Sequence, residues 1–283
     1  MTKIVSWNIQ NGLGVDEKLS ISRTAETIKE LGDADIICLQ EVSNNILLPD
    51  GSFTDQVSQL SEQFSEYVPV FGAALDVHYL NENRRGQYGN LILSRHTPKS
   101  IFFHQLPQPA DGAKKQMPRQ MIEATLEGPS GLLRVMTTHL EFHSQLQRLA
   151  QLKRIMDIEF DVYNLKQTPP IFSEAGPYAQ YERSQKTILC GDFNCLPKSE
   201  EYELVVNPST GKVGLKDAWT TVKPNQVHAP TCGIYDHKQW EEGAHCRDFF
   251  FVCEELIERV KDISVDTETR ASDHQPIVLT LDA

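Results

Sequence analysis

The run Thr187–Asn194, TILCGDFN, carries side chains that can do chemistry at a fixed spacing. Ile188, Leu189 and Cys190 read as a buried strand, Gly191 permits a tight approach, and Asp192 and Asn194 follow with one residue between them. Period two on an extended chain puts both polar side chains on one side. Asp-x-Asn also closes strands as an Asx turn, so this run alone decides nothing. Three other apolar strands end in the same manner: Val5-Ser6-Trp7 in Asn8, Ile36 to Leu39 in Gln40-Glu41, and Val135 to Thr138 in His139. Asp248 opens the strand Phe249 to Val252, and Ser272-Asp273-His274 stands just before the last strand. A lone histidine at a strand end is more often a hydrogen-bonded structural residue. Six such features in one chain are hard to assign to turns, and they predict a polar site at the mouth of a sheet.

The elements that must position these residues follow from periodicity and punctuation. Helices are expected at Ser20–Leu31, where Ile21, Ala25, Ile28 and Leu31 share a face, near Thr54–Phe64, at about Ser144–Tyr163 and near Ser199–Val205. Strands are expected at Lys3–Trp7, Asp35–Leu39, Tyr67–Leu75, Asn90–Ser94, Ser100–His104, Arg119–Leu126, Leu132–Thr138, Asp248–Cys253, Val260–Val265 and Pro276–Leu281. Gly128-Pro129-Ser130-Gly131 is a turn signal that makes a hairpin of its flanks. Helices interleave with strands in both halves, and no linker-like composition divides the chain. The expectation is one α/β domain over residues 1–283, with two sheets covered by helices.

Composition narrows the function. The chain of 283 residues carries 27 Lys+Arg against 39 Asp+Glu, a net charge of -12, with 40% hydrophobic residues. A broad nucleic-acid footprint is normally basic, so the charge argues weakly against one. An acidic balance suits a protein that holds divalent cations. No C-x-x-C pair occurs among the six cysteines, which disfavours zinc-ribbon chemistry, and Cys38, Cys190 and Cys253 read as core thiols. No G-x-G-x-x-G or Walker-A sequence is present. No apolar run is long enough to span a bilayer, and the expected compartment is a reducing cytosol, hence cytoplasmic, with a leader already removed as the alternative.

Taken together, WN at Trp7-Asn8, QE at Gln40-Glu41, TH at Thr138-His139, GDFN at Gly191–Asn194, Asp248 and SDH at Ser272–His274 resemble the endonuclease/exonuclease/phosphatase superfamily, which includes deoxyribonuclease I. The motifs fall in the family's order; GDFN with SDH is the specific part. The resemblance implies a four-layer α/β sandwich, two mixed sheets packed face to face with helices outside. It also implies metal-dependent hydrolysis of phosphate esters. Mg2+ prefers hard oxygen ligands, with Mn2+ as an alternative. Glu41 fits the principal ligand, Asn8 can add an oxygen, and Asp273 can bind directly or through water. The resemblance makes His274 the general base or phosphate-polarising group, Asp248 the carboxylate that orients it, and Asp192 the residue for the attacking water. It makes Asn194 a donor to a phosphate oxygen, and His139 a phosphate or leaving-group partner. The deoxyribonuclease branch pairs that histidine with a glutamate, but no acid lies in Gly86–Asn90; Asn90, Gln87 or a residue elsewhere is then the partner.

Asn90, Arg84 and Arg85 are candidate substrate contacts, as is Arg119, each set against a plain structural reading. His143, His228, His237 and His245 receive no role. The expected partner is a phosphate-ester substrate, a small molecule or a nucleic acid, acted on by a monomer or weak dimer with no transmembrane segment. An endonuclease or exonuclease is the alternative activity, and a non-catalytic scaffold of the same fold is the alternative class. The polar loop Thr168–Ser184 should lie opposite the catalytic mouth, and Asn207–His245 nearer to it.

Overall fold

The structure, a computed structural model, describes residues 1–48, 50–79, 83–129, 131–208 and 214–282. Ser130 of the expected turn, residues 209–213 of the Asn207–His245 stretch and the last residue of the expected domain lie outside the described residues. In chain order the strands are β1 (Thr2–Asn8), β2 (Ile36–Leu47), β3 (Phe53–Asp55), β4 (Val68–Tyr79), β5 (Arg84–Ser94), β6 (Pro98–Gln105), β7 (Gln120–Gly128), β8 (Gly131–His139), β9 (Thr187–Asp192), β10 (Lys216–Asp217), β11 (Asp248–Val252), β12 (Val260–Val265) and β13 (Ile277–Leu281). The helices are α1 (Ile21–Glu30), α2 (Gln56–Gln63), α3 (Gln145–Gln167), α4 (Glu200–Val206) and α5 (Ala218–Val222). Ser20, Ser144 and Ser199 cap α1, α3 and α4 by accepting a backbone N–H of the first turn, which is why those helices start where the sequence says.

Each sheet is built round one parallel pair. The first runs β12-β13-β1-β2-β5-β4, with β1 parallel to β2 and β3 hanging on β2; the second runs β10-β11-β9-β8-β7-β6, with β8 parallel to β9. A parallel pair needs a crossover, supplied by α1 in the first sheet and α3 in the second. Strand alternation then sorts the side chains into layers. Val5, Trp7, Ile37 and Leu39 face outward onto Ala25, Ile28, Leu60 and Phe64, which line α1 and α2 and the end of α2. Ile4, Ile36 and Cys38 face inward, in one continuous core with Val135, Ile188 and Cys190 of the second sheet and Leu152 and Ile155 of α3. The result is the expected four-layer α/β sandwich.

Two departures bear on the site. β2 does not end at Gln40-Glu41 but continues to Leu47, and β5 begins at Arg84 rather than Asn90. The pairing of β2 with β5 slips between Leu39 and Val42, and Glu41 has a φ of 61°. A bulge therefore absorbs the polar pair and lets the strand resume. The second departure is α5, a single turn started by the Asp217 cap, which no apolar period announces. The loop between α3 and β9 sits where expected. Arg134 near the start of β8 donates to it, its backbone N–H to the Lys186 carbonyl and its Nε to the Ser184 carbonyl, at the end of the sandwich away from His139.

Candidate active site

Parallel pairing aligns strand ends, so β1 and β2 deliver Asn8 beside Gln40, and β8 and β9 deliver His139 beside Asp192. Antiparallel β11 brings Asp248 opposite Asp192. The segment before β13 is tied to β1: Trp7 Nε1 donates to the His274 carbonyl at 2.9 Å, and Ser272 Oγ donates to the Asn8 carbonyl at 2.8 Å. Six segments thus meet between the two sheets, where the inward layer changes from apolar to polar.

The bulge turns the Glu41 carboxylate into the mouth, a use of positive φ that a functional position can sustain. Asn8 Nδ2 donates to Glu41 Oε1 and to Asp192 Oδ2, both at 3.0 Å, and so joins the two sheets. Its carbonyl oxygen accepts the Gln10 N–H at 3.1 Å rather than facing the carboxylates. Tyr88 Oη donates to Glu41 Oε2 at 2.7 Å. Tyr88 stands in the acid-free stretch Gly86–Asn90, and the prolonged β5 is what brings it here.

His274 and Asp248 form a hydrogen-bonded pair. Nδ1 lies 2.8 Å from Asp248 Oδ2, and that oxygen also accepts from Thr231 Oγ1 at 2.6 Å. The opposite ring nitrogen, Nε2, lies 3.6 Å from Asp192 Oδ2. Burial alone would lower the His274 pKa, but the carboxylates of Asp248, Asp192 and Asp273 overcome it and hold the imidazolium well above the ordinary value. Burial raises Asp192, and the neighbouring Asp248 charge adds to this against His274 and the Asn8 amide. An imidazolium facing a reluctant carboxylate is an arrangement that can hand a proton either way.

His139 has a different setting. Its Nε2 lies 3.0 Å from Asn194 Nδ2 and 3.3 Å from Asp192 Oδ2, and its Nδ1 lies 3.8 Å from Glu41 Oε1. The acid missing from the Gly86–Asn90 stretch is therefore supplied by Glu41 and Asp192; neither Asn90 nor Gln87 touches it. Burial, then the charges of Arg119 and His274, push its pKa well below the ordinary value, so the ring is neutral at pH 7. Asn194, at φ 50°, is fastened by its backbone N–H to Asp192 Oδ1 at 2.9 Å and by its amide to the Leu140 carbonyl at 3.0 Å. The Asp-x-Asn run is thus an Asx turn and a site at once.

These groups floor a cleft of about 520 Å³, walled by Arg119, Glu141, Phe142, His143 and Trp240, among others. Asn90 is buried and donates to the Gln120 carbonyl at 2.9 Å, a tie between the sheets. Arg85 is spent on Asp76, at 2.6 Å, and Arg84 lies over the Phe53 ring, 4.6 Å from its centroid. Arg84, Arg85 and Asn90 do not line the cleft, because the prolonged β4–β5 hairpin carries the arginines past it. Arg119 does line it: only 5% exposed, it pairs with Glu141 at 3.3 Å and keeps Nη1 without a partner. Glu141 and Trp240 carried no signal in the sequence; both sit in irregular segments without periodicity.

The donors suit a divalent cation. Glu41, Asp192, Asp248 and Asp273 face one imidazolium, and burial, with the charges of Glu41 and Asp192, pushes the Asp273 carboxyl up to about 6 against the pull of His274. A cation would relieve that crowding, and hard oxygens are what Mg2+ or Ca2+ accepts. Ligand atoms of Asp192, Asp248 and His274 lie within 4.8 Å of one another, a buried group that could itself hold a metal ion.

Residues 5–274 match the family model described as "Endonuclease/Exonuclease/phosphatase family". No curated protein matches the chain. Among solved structures, an endonuclease/exonuclease/phosphatase from Beutenbergia cavernae is similar at 21% identity and a TM-score of 0.71, over 100% of this chain and 72% of that one. A mannosyl-6-phosphatase from Bacteroides thetaiotaomicron shares 16% identity at a TM-score of 0.67, over 100% of both chains. A 3′ phosphatase from Neisseria, bound to a product DNA hairpin, shares 21% identity at a TM-score of 0.61, again over 100% of both. At such identities the likeness speaks for the fold. Proteins of the matched family are phosphoester hydrolases, and among the described residues no helix is long and apolar enough to cross a membrane.

Proposed function

We propose that this chain, which belongs to the endonuclease/exonuclease/phosphatase family, hydrolyses a phosphate ester of small-molecule size with the help of a divalent cation, Mg2+ in the first instance. The observation that carries the reading is the meeting of Glu41, His139, Asp192, Asn194 and His274 on the floor of one cleft. A cleft of about 520 Å³ has the size of a site that encloses a small ligand. The surplus of acidic residues supplies no broad basic surface for a long duplex.

Glu41 would hold the cation as principal ligand, with Asp273 beside it directly or through water; Asn8, whose amide N–H groups face Glu41 and Asp192, would orient those carboxylates. When bound, the cation would neutralise the phosphate and stabilise charge on the leaving oxygen. The protein supplies the rest. Asp192, with its raised pKa, takes the proton of the attacking water. His274, held by Asp248 through Nδ1, presents Nε2–H to a phosphate oxygen. Neutral His139 and the Asn194 turn fix the orientation of the ester. Asp248 orients the histidine, its Oδ2 accepting from Thr231 Oγ1 and lying 2.8 Å from His274 Nδ1.

A panel of phosphate monoesters, diesters, sugar phosphates and short oligonucleotides, assayed with and without Mg2+ or Mn2+, tests this. The expected result is cation-dependent release from a small ester. Equal rates for the parent and for Glu41→Ala and His274→Ala would favour a non-catalytic scaffold; turnover confined to oligonucleotides would favour a nuclease.

A further inference from the structure

One side of the cleft is a loop with no regular structure, and it covers His274. Trp240, 1% exposed, stands edge-on to the His274 ring with centroids 5.5 Å apart, and edge-on to Phe142 at 5.6 Å. Its indole N–H is near enough to Asp273 to favour that carboxylate, yet makes no hydrogen bond. No hydrogen bond from the indole fastens the loop to the sandwich.

Arg247 does. It sits immediately before β11, and its guanidinium lies 4.8 Å from the Trp240 ring centroid and 5.7 Å from that of Phe142. Its nitrogens reach the Asn194 turn and, at two points, the loop that carries Trp240. Nε donates to His245 Nε2 at 2.6 Å, Nη1 to the Asn194 carbonyl at 3.3 Å, and Nη2 to Glu242 Oε1 at 3.0 Å. His245 is itself held, with Nδ1 on the Gly243 carbonyl at 2.6 Å and Nε2 against the Cys232 thiol. A planar fork of donors with an aromatic face on one side is a task for arginine and not for lysine. One side chain therefore joins the Asn194 turn, the Trp240 loop and the start of β11, three elements that border the cleft.

We infer that Arg247 is a positioning residue of the hydrolytic site: it clamps Trp240 over His274 and the Asn194 turn under the ester, without touching substrate. The inference rests on the hydrolase reading for its kinetic part only. A clamp of this kind acts on the geometry of reacting groups, where displacements of about 1 Å can cost on the order of a hundredfold.

The test uses Arg247→Ala, Arg247→Lys and Glu242→Gln, with Trp240→Phe as the reference that identifies the emission of Trp240. With the parent's far-UV spectrum retained, Arg247→Ala should lower kcat by roughly 10- to 100-fold with KM within about threefold. The Trp240 emission should move to the red and become more open to acrylamide. Added guanidinium ion should restore part of both, and Arg247→Lys should stay deficient. If Arg247→Ala does not fold, the smaller shift expected of Glu242→Gln, whose Glu242 side chain is half exposed, carries the test. An unmoved Trp240 emission in the folded variants overturns the inference, whatever the rates do. A parent that hydrolyses no ester would sink the hydrolase reading alone, since the emission still decides the clamp.

Discussion

The sandwich buries charge at both of its ends, and the two ends are treated differently. At the end away from the cleft, Glu123 and Glu159 meet Arg134 and Arg183. Arg183 grips Glu123 with two nitrogens at 2.6 and 2.8 Å, Arg134 lies 3.6 Å from Glu123 and hydrogen-bonds Glu159, and His104 and Thr187 fill remaining positions. Two carboxylates are matched by two guanidinium groups. At the cleft end, Glu41, Asp192, Asp248 and Asp273 face the imidazolium of His274, while Arg119 is already paired with Glu141. The same sheets, with the same kind of alternation, make a closed structural network at one end and an unbalanced one at the other. Burial of charge alone thus does not distinguish the two ends; the imbalance beside an open cleft does.

The comparison can be broken most directly at the cleft. His274→Ala should lower turnover by roughly 10³-fold, and chelation of the cation should abolish it; because His274 is buried against Asp248, the substitution should also lower the melting temperature. Rates measured beside a thermal melt check this; a large loss of stability with modest loss of rate would assign His274 to structure. Next comes the far end. Arg134→Met strips Glu159 of its buried guanidinium while Arg183 stays on Glu123, and should cost about 3–5 kcal/mol, a melting temperature lower by roughly 10 °C, with kcat unaltered in the folded fraction.

The pH dependence of stability should have opposite sign at the two ends. Burial would raise Glu123, but Arg183, His104 and Arg134 hold it down to about 2. Its folded pKa is below the ordinary 4.5, so its stabilisation is present above that value and is lost as pH falls toward about 2. Asp273 is the reverse. Its pKa rises from 3.8 to about 6, so folding favours the proton, and stability falls as pH climbs through that window. Melts of Glu123→Gln and Asp273→Asn against the parent, with and without Mg2+, separate the two slopes; added cation should flatten only the second. The smallest effect belongs to the loop Thr168–Ser184. Its shortening should leave cation-dependent turnover within about twofold, since it joins α3 to β9 at the far end. A folded but inactive deletion would contradict that placement.

Much of this was legible in the residues because strands with period two and capped helices announce themselves. Ser20, Ser144 and Ser199 mark helix starts, and the GDFN and SDH runs stand at strand ends that pairing must align. What escaped was set by tertiary contact. Glu41 looked like the end of a strand because a polar pair interrupts an apolar run, and only the bulge at positive φ reconciles the two. Arg119 looked like a strand edge, yet the approach of Glu141 buries it. Trp240 and Arg247 lie in a stretch whose shape comes from stacking and from carbonyls distant in sequence, so no local pattern could have placed them. Asn90 was drawn toward the site as a partner for His139 and Arg84-Arg85 as a basic pair; hairpin length carries the arginines elsewhere, and Asn90 is spent on the Gln120 carbonyl.

The bonds from Trp7 to the His274 carbonyl and from Ser272 to the Asn8 carbonyl join segments 267 and 264 residues apart. Such contacts close late, because the chain must first give up the freedom of everything between them. Renaturation should therefore show helical signal returning ahead of enzymatic competence. A trapped form could have every layer in place and still be inert, awaiting only the seam between its first and last strands.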